Sequence, residues 1–156
     1  MQENYQKITE ESGVMSFELE LNAPRPKVWE LIATTKGFAQ WFPELSVGES
    51  GVDGMILFDF GNGEYEEMTI TIYDPKSVLE YTWDKNVVRF ELIEKEATTV
   101  LRFTEEITEL TTHTPRDIAG WYMCLQKIQG ILEDKDVSFT EEEFLALFDK
   151  YQAVMN

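Results

Sequence analysis

The fold of this chain is predicted most directly by residues 114–134, TPRDIAGWYMCLQKIQGILED. Thr114, Pro115 and Asp117 form a helix start, with a capping hydroxyl, a proline at the first helical position and a carboxylate near the positive helix end. These signals predict a long helix over residues 115–134. Apolar side chains recur along it at helical spacing: Ile118, Trp121, Leu125, Ile128 and Leu132. One face of this helix must therefore be buried.

Residues 55–103, which precede the helix, alternate between apolar and polar side chains, as strands with one buried face do. Another alternating segment at residues 15–21 and a short piece from Glu44 bring the total to about six to seven strands. The connections are too short for parallel crossovers. Tight turns are predicted at Gly61-Asn62-Gly63, Asp74-Pro75-Lys76 and Asp84-Lys85-Asn86. The sequence therefore predicts an α+β fold in which a curved antiparallel sheet covers the long helix.

Two short helices are predicted between the first strand and the rest of the sheet. Asn22 is expected to cap the first of them, because Pro24 and Pro26 are tolerated only near a helix start. Gly37 is expected to interrupt the helical stretch, and Pro43 to end it. Their apolar side chains are Val28, Trp29, Leu31, Ile32, Phe38, Trp41 and Phe42. The pattern indicates a bent, aromatic helical pair.

The end of the chain contains a loop and a second helix start. Residues 105–113 are polar and are predicted to form a loop. Thr140 with Glu143 forms a second capping box, which opens an amphipathic segment. Its apolar face consists of Phe144, Leu147, Phe148 and Tyr151. We expect one domain over residues 1–136, with 137–156 as a helical appendage packed on it rather than a docking helix for another protein.

Composition excludes several classes of function. The 156 residues fit a single domain, and the formal charge of −17 argues against nucleic acid and against a membrane surface as partners. A single cysteine, Cys124, excludes an intrachain disulfide. Residues 1–12 lack the basic and apolar segments of a secretion signal, and no stretch is long enough to span a bilayer. We therefore predict a soluble cytoplasmic protein.

Residues that could carry chemistry are scarce. His113 is the only histidine, which excludes a His-rich metal site, and it is expected on a loop or at a pocket rim. Cys124, midway along a buried helix, is expected to be a packing residue rather than a nucleophile. Glu105 and Glu106 are neighbours that would point to opposite faces of a strand. The sequence thus predicts no metal, no cofactor and no catalytic residue.

Several short motifs occur in a specific order along the chain. They are Ala23-Pro24, Lys27-Val28-Trp29, Gln40-Trp41-Phe42-Pro43, Gly54 with Met55-Ile56-Leu57-Phe58, Leu79-Glu80-Tyr81-Thr82-Trp83 and Gly120-Trp121. In these motifs the chain resembles the START-like, birch-pollen-allergen type of helix-grip domain, the SRPBCC superfamily. Within it, the chain is most similar to the group named for the activator of heat-shock protein ninety ATPase homologue. The resemblance covers residues 15–134.

This resemblance implies a helix-grip fold, with a sheet wrapped around the C-terminal helix and a cavity between them. Such cavities are often used for apolar or aromatic small molecules. Plain core packing is the alternative role for each candidate lining residue. The candidates in this sequence are Trp41, Phe58, Phe60, Ile70, Tyr81, Trp83, Phe90, Trp121 and Leu125.

Three functional hypotheses follow. The leading one is non-enzymatic binding of a small hydrophobic or aromatic ligand in the cavity. The second, implied by the family name, is a co-chaperone-like module that has a chaperone partner and regulates a heat-shock ATPase. The third is a cyclase- or aromatase-like enzyme that uses the same cavity, with Tyr81, His113 or Arg102 as the acid or base.

Overall fold

The computed structural model describes all residues, 1–156, as eight strands and four helices. The elements in chain order are β1 (Gln2–Lys7), β2 (Gly13–Leu21), α1 (Arg25–Ala33), α2 (Thr35–Trp41), β3 (Leu45–Glu49), β4 (Met55–Asp59), β5 (Tyr65–Asp74), β6 (Val78–Trp83), β7 (Asn86–Glu94), β8 (Thr99–Ile107), α3 (Thr114–Leu132) and α4 (Glu141–Met155). One sheet contains every strand in the order β1-β2-β8-β7-β6-β5-β4-β3. All neighbouring strands are antiparallel. The predicted α+β helix-grip architecture is confirmed.

The inner face of the sheet carries the alternating apolar residues that the sequence analysis singled out. On β2, Met15, Phe17, Leu19 and Leu21 are buried, and the residues between them are more exposed. The apolar stripe of α3 lies in the same core, with Ile118, Trp121, Leu125 and Ile128 all buried. The strand period of two and the helix period of 3.6 thus lead to one shared core.

The sheet has one strand more than the six to seven predicted. The additional strand is β1, which pairs with β2 from Gln2 opposite Glu18 to Lys7 opposite Gly13. Its sequence QENYQK has no apolar alternation, because it lies at the sheet edge and has no buried face. Only Tyr5 is partly buried. Backbone pairing without side-chain burial leaves no periodic signal in a sequence.

The two short helices are confirmed, but their boundaries differ from the prediction. The residue before α1 is Pro24, and no side chain caps this helix, so the role expected of Asn22 is wrong. The break between α1 and α2 lies at Thr34, whose hydroxyl accepts a hydrogen bond from the Gly37 amide at 3.0 Å. Gly37 itself lies inside α2, where a Cβ would collide with backbone atoms of Glu30 and Leu31. This glycine therefore serves close packing between the helices rather than a helix break.

The predicted loop over residues 105–113 is shorter in the structure. Strand β8 continues to Ile107, so Glu105 faces the core and Glu106 faces solvent. Helix α3 begins at Thr114, and His113, the residue before it, provides no side-chain cap. The sequence predicted Thr114 as the cap, whereas in the structure the cap position is one residue earlier, at His113. A buried glutamate resembles a loop residue in sequence, which explains the shortened strand prediction.

The C-terminal helix α4 begins with the predicted capping box, in which Thr140 accepts from the Glu143 amide and the Glu143 side chain accepts from the Thr140 amide. Tyr151 is fully buried and meets the ring of Phe17 edge-on at a centroid distance of 6.0 Å. Lys150 pairs with Glu3 of β1 at 2.9 Å. The helix thus packs on the domain. None of the four helices combines the length and the apolar composition needed to cross a bilayer.

Candidate functional site

An open pocket of about 390 Å³ lies beside α3, next to the end of β6 and the connection from α2 to β3. Its volume falls within the range of roughly 300 to 1,000 Å³ that is typical of small-molecule sites. Helix α3 contributes Asp117, Gly120, Trp121, Met123, Cys124 and Lys127. The other lining residues are Trp41, Phe42, Pro43, Glu44 and Trp83.

Four of the eleven residues that line the pocket are aromatic: Trp41, Phe42, Trp83 and Trp121. Trp83 and Trp121 lie 4.9 Å apart between ring centroids, and Phe42 lies about equally far from both, at 5.9 and 6.0 Å. Tilted and edge-on contacts at these distances are the favourable geometries for aromatic pairs. The wall is therefore held in shape by its own ring contacts.

The connection after α2 is fixed by one buried indole. Helix α2 ends at Trp41, since Pro43 two residues later cannot continue it. The Trp41 Nε1 donates a hydrogen bond to the Leu31 carbonyl of α1 at 2.9 Å. This bond anchors the indole on α1, and Phe42 follows directly with its ring toward Trp83 and Trp121. The pocket wall on this side is thus tied to the two short helices.

Gly120 leaves the side of the pocket formed by α3 open. A Cβ built at this position meets no atom within 4 Å, although the residue lies in the middle of a long helix. Glycine in a helix interior destabilises the helix by roughly 0.5–1 kcal/mol relative to alanine. No steric clash requires a glycine at this position. The missing side chain instead leaves the open space of the pocket.

Charged groups lie at the rim. Trp83 Nε1 donates a hydrogen bond to Asp117 Oδ1 at 2.9 Å, which fixes both side chains. Asp117 lies in the first turn of α3, where the positive end of the helix dipole favours a carboxylate. Glu44 and Lys127 also line the pocket, but no ion pair joins them.

A buried carboxyl group lies behind Asp117. Glu105 Oε2 accepts a hydrogen bond from Asn86 Nδ2 at 2.8 Å, whereas Glu105 Oε1 has no partner. Burial, reinforced by the negative charge of Asp117, raises the pKa of the Glu105 carboxyl well above its usual range. The folded protein therefore retains this proton at pH values at which an exposed glutamate has lost it.

Glu105→Gln is expected to stabilise the protein increasingly as the pH rises above about 4.3, the ordinary glutamate pKa. Above that pH the unfolded chain releases the proton that the folded protein keeps, so stability of the natural protein falls as pH rises toward the folded pKa. Glutamine is neutral and retains an acceptor for Asn86. The difference in unfolding free energy should grow by up to about 1.4 kcal/mol per pH unit in this window.

Urea denaturation at several pH values, followed by circular dichroism, measures this difference. Glu106→Gln is the matched control, because Glu106 lies on the exposed face of the same strand. Its pH profile should parallel that of the natural protein. If the Glu105→Gln profile is also parallel, the carboxyl is ionised in the fold and the interpretation is wrong.

Only some of the predicted lining residues line the pocket in the structure. Trp41, Trp83 and Trp121 line the pocket. Phe58 packs against Phe42 and Trp83 behind the wall. Phe60 is 55% exposed at the end of the β4–β5 hairpin and contacts Phe58 at 5.2 Å. The other four are buried in the core and do not line the pocket: Ile70, Tyr81, Phe90 and Leu125.

Sequence reasoning missed eight lining residues: Phe42, Pro43, Glu44, Asp117, Gly120, Met123, Cys124 and Lys127. One usable signal was present. Asp117, Gly120, Cys124 and Lys127 recur at spacings of three and four, which defines a second stripe on α3 beside the core stripe. Trp121 belongs to both stripes. The residues of the α2–β3 connection carried no comparable periodicity.

The acid or base groups considered for an enzyme do not converge in the pocket. Burial raises the pKa of the Tyr81 hydroxyl above its ordinary value and the pKa of Cys124 to about 12, so both stay protonated. Arg102 pairs with Glu18 at 3.0 Å on β8 and β2 and does not line the pocket. His113 lines a separate depression of about 200 Å³ on the other side of Trp83 and Asp117. The structure gathers no group of three or more His, Cys, Asp or Glu side chains able to hold a metal ion.

Comparison with protein-family models gives one match, over residues 22–133, to the family described as activator of Hsp90 ATPase homolog 1-like protein. The matched segment runs from the end of β2 to the end of α3 and contains every residue that lines the pocket. The chain belongs to this family. Strands β1 and β2 and helix α4 of the activator-of-Hsp90-ATPase-like chain lie outside the match. No curated protein is significantly similar to it in sequence.

Solved structures share the fold over nearly the whole chain. A conserved protein of unknown function from Enterococcus faecalis is 28% identical, with a TM-score of 0.89, and the alignment covers 99% of this chain and 90% of that one. CalU16 from Micromonospora echinospora is 16% identical with a TM-score of 0.75, over 99% and 96% of the two chains. The Aha1 dimer from Colwellia psychrerythraea is 22% identical with a TM-score of 0.65, over 77% and 96%. The full-length similarity to the first two includes β1 and α4.

Proposed function

We propose that this protein binds a small apolar or planar aromatic molecule in the pocket beside α3 and does not transform it. The observation that carries the proposal is the space over Gly120, walled by the rings of Trp83 and Trp121. Flat apolar walls around an open volume favour a flat apolar guest, because stacking and apolar burial act together.

The expected affinity follows from the area available. A two-ring aromatic molecule buries about 200 Å² of apolar surface, and each Å² contributes about 25 cal/mol. This favourable term is about 5 kcal/mol, to which ring contacts add and from which the loss of rotational and translational freedom subtracts. With about 3 to 4 kcal/mol from ring contacts and a loss of about 4 kcal/mol, dissociation constants of about 0.2 to 1 mM are consistent with this sum.

Titration with the neutral aromatic probe N-phenyl-1-naphthylamine, a naphthalene joined through nitrogen to a phenyl ring, tests the proposal. We expect saturable binding with one probe per chain, enhanced probe emission, and quenching of tryptophan fluorescence because Trp83 and Trp121 lie in the wall. The melting temperature should rise with probe concentration, since the folded state alone offers the site. If probe emission and melting temperature both remain unchanged, the proposal is wrong.

A second candidate, a co-chaperone role, is favoured by the family match and its description. Such a role requires a surface that contacts a heat-shock ATPase, and the pocket is not needed for it. ATP turnover by a purified Hsp90-type ATPase, measured with and without this protein, is the direct test. Unchanged turnover over a wide concentration range would remove this candidate and leave the ligand-binding proposal untouched.

A further inference from the structure

Four of the lysines in this acidic protein line two depressions that continue the pocket. The first depression, about 270 Å³, shares Trp41, Pro43 and Lys127 with the pocket, and Lys135 also lines it. The second, about 220 Å³, shares Gln40 and Ile131 with the first and is lined by Lys27 and Lys36. The shared residues place the three depressions next to one another along α3. We call the two depressions together the lysine groove.

The positive charges in the lysine groove are poorly compensated. Lys27, Lys36 and Lys127 form no ion pair, and Lys135 only approaches Glu133 at 3.9 Å. Just two acidic residues, Glu30 and Asp136, line the groove beside these four lysines. The whole chain has 13 basic residues against 30 acidic ones. The lining of the lysine groove thus holds two more basic than acidic side chains, in contrast to the acidic chain as a whole.

Lys127 occupies the junction between the pocket and the lysine groove. Its side chain is half-buried, unlike those of Lys27, Lys36 and Lys135, which are exposed. A half-buried lysine buries its aliphatic stem along apolar surface and keeps its ammonium group in solvent. Glu44 lines the same pocket, but it is exposed and does not pair with Lys127. The charge of Lys127 is therefore available to a ligand.

The acidic end of the pocket lies away from Lys127. Asp117 precedes Lys127 by ten residues on α3, which corresponds to about 15 Å along the helix axis. Its carboxylate is occupied by the hydrogen bond from Trp83. The two charged side chains that α3 contributes to the pocket, Asp117 and Lys127, thus lie toward opposite ends of it.

We infer that the ligand is an amphipathic anion, with an apolar or aromatic body over Gly120 and an anionic group at Lys127 that extends toward Lys135. This inference rests on the proposed function and specifies the ligand class of the same site. Carboxylate, phosphate and sulfonate groups share the required chemistry, because each accepts charge-assisted hydrogen bonds from an ammonium group. A neutral ligand of the same shape would use the pocket and leave the lysines without a partner.

Two matched probes test this inference. N-phenyl-1-naphthylamine is neutral, and 8-anilinonaphthalene-1-sulfonate has the same ring system with one added sulfonate. We expect Lys127→Gln to weaken binding of the sulfonate probe about fivefold more than it weakens binding of the neutral probe, because only the sulfonate interacts with the ammonium group. Lys127→Gln combined with Lys135→Gln should weaken sulfonate binding further. Raising the salt concentration from 50 to 500 mM should weaken binding of the sulfonate probe more than binding of the neutral probe, since salt screens the attraction between charges.

Lys95→Gln is the control variant, because it removes the same charge from the turn between β7 and β8 and Lys95 forms no ion pair. It should affect neither probe. If the neutral probe binds while the sulfonate probe is insensitive to Lys127→Gln, the anionic ligand class is overturned and the proposed function stands. If neither probe binds, the proposed function itself fails.

Discussion

Gly120→Leu is expected to abolish binding of N-phenyl-1-naphthylamine while the protein remains folded and becomes slightly more stable. A side chain at this position meets no existing atom at its Cβ, so leucine extends into the pocket instead of displacing the core. Leucine also has a higher helix propensity than glycine, by about 0.8–1.0 kcal/mol in a helix interior. Loss of the volume beside Trp83 and Trp121 should weaken probe binding at least tenfold and so remove the fluorescence response, because the probe rings would overlap the new side chain.

Gly120→Ala separates the two effects of that substitution. Alanine gives nearly the same gain in helix stability but adds only one methyl group to the pocket, so probe binding should be largely retained. Fluorescence titration and thermal melting measure both quantities on the same samples. Undiminished probe binding by Gly120→Leu would show that the probe binds elsewhere, which contradicts the site described here.

Trp121→Ala is expected to lower the free energy of unfolding by about 3–5 kcal/mol, the cost of removing a large buried aromatic side chain. Trp121 is only 2% exposed, and its ring contacts those of Phe103 at 4.8 Å, Trp83 at 4.9 Å and Phe90 at 5.9 Å. These rings come from three strands, so truncation removes packing between α3 and the centre of the sheet. Urea denaturation followed by circular dichroism measures the loss without depending on the tryptophan signal.

Trp29→Ala is the matched control for this variant. Trp29 is half-buried on α1 and contacts Tyr73 at 5.5 Å, away from the pocket. The same chemical change should cost clearly less there, since less surface returns to water. An equal loss in both variants would mean that Trp121 contributes no more to the core than a surface tryptophan does. Trp121→Phe should lie between, because it keeps one ring and removes an indole N–H that has no partner.

The sequence predicted the core of this fold more accurately than the site. The stripe of Ile118, Trp121, Leu125 and Ile128 and the alternation along β2 each have a period that burial imposes, and both were recognised. Strand β1 was not predicted because an edge strand without a buried face has no such period. The burial of Glu105 was not predicted because a glutamate is normally exposed to solvent. Only its register opposite Met15 on β2 places the side chain in the core.

The site was harder to predict because large apolar residues do not reveal whether they fill space or enclose it. Tyr81, Phe90 and Trp83 were grouped as candidate lining residues, yet Tyr81 and Phe90 are completely buried in the core and only Trp83 lines the pocket. The pocket itself depends on a side chain that is missing, at Gly120, and on the path of the chain after Trp41. Neither feature has a periodic pattern in the sequence.

Apart from Trp121, which does both, helix α3 separates the residues that hold the fold from those that shape the pocket. Ile118, Leu125 and Ile128 face the sheet, whereas Gly120, Cys124 and Lys127 line the pocket. A substitution at a pocket position leaves the packing of the sheet intact, so it escapes the stability threshold that removes most core substitutions during evolution. This arrangement makes the domain evolvable. A lineage can change its ligand through a few positions on one side of the helix, while the residues on the other side keep the fold stable.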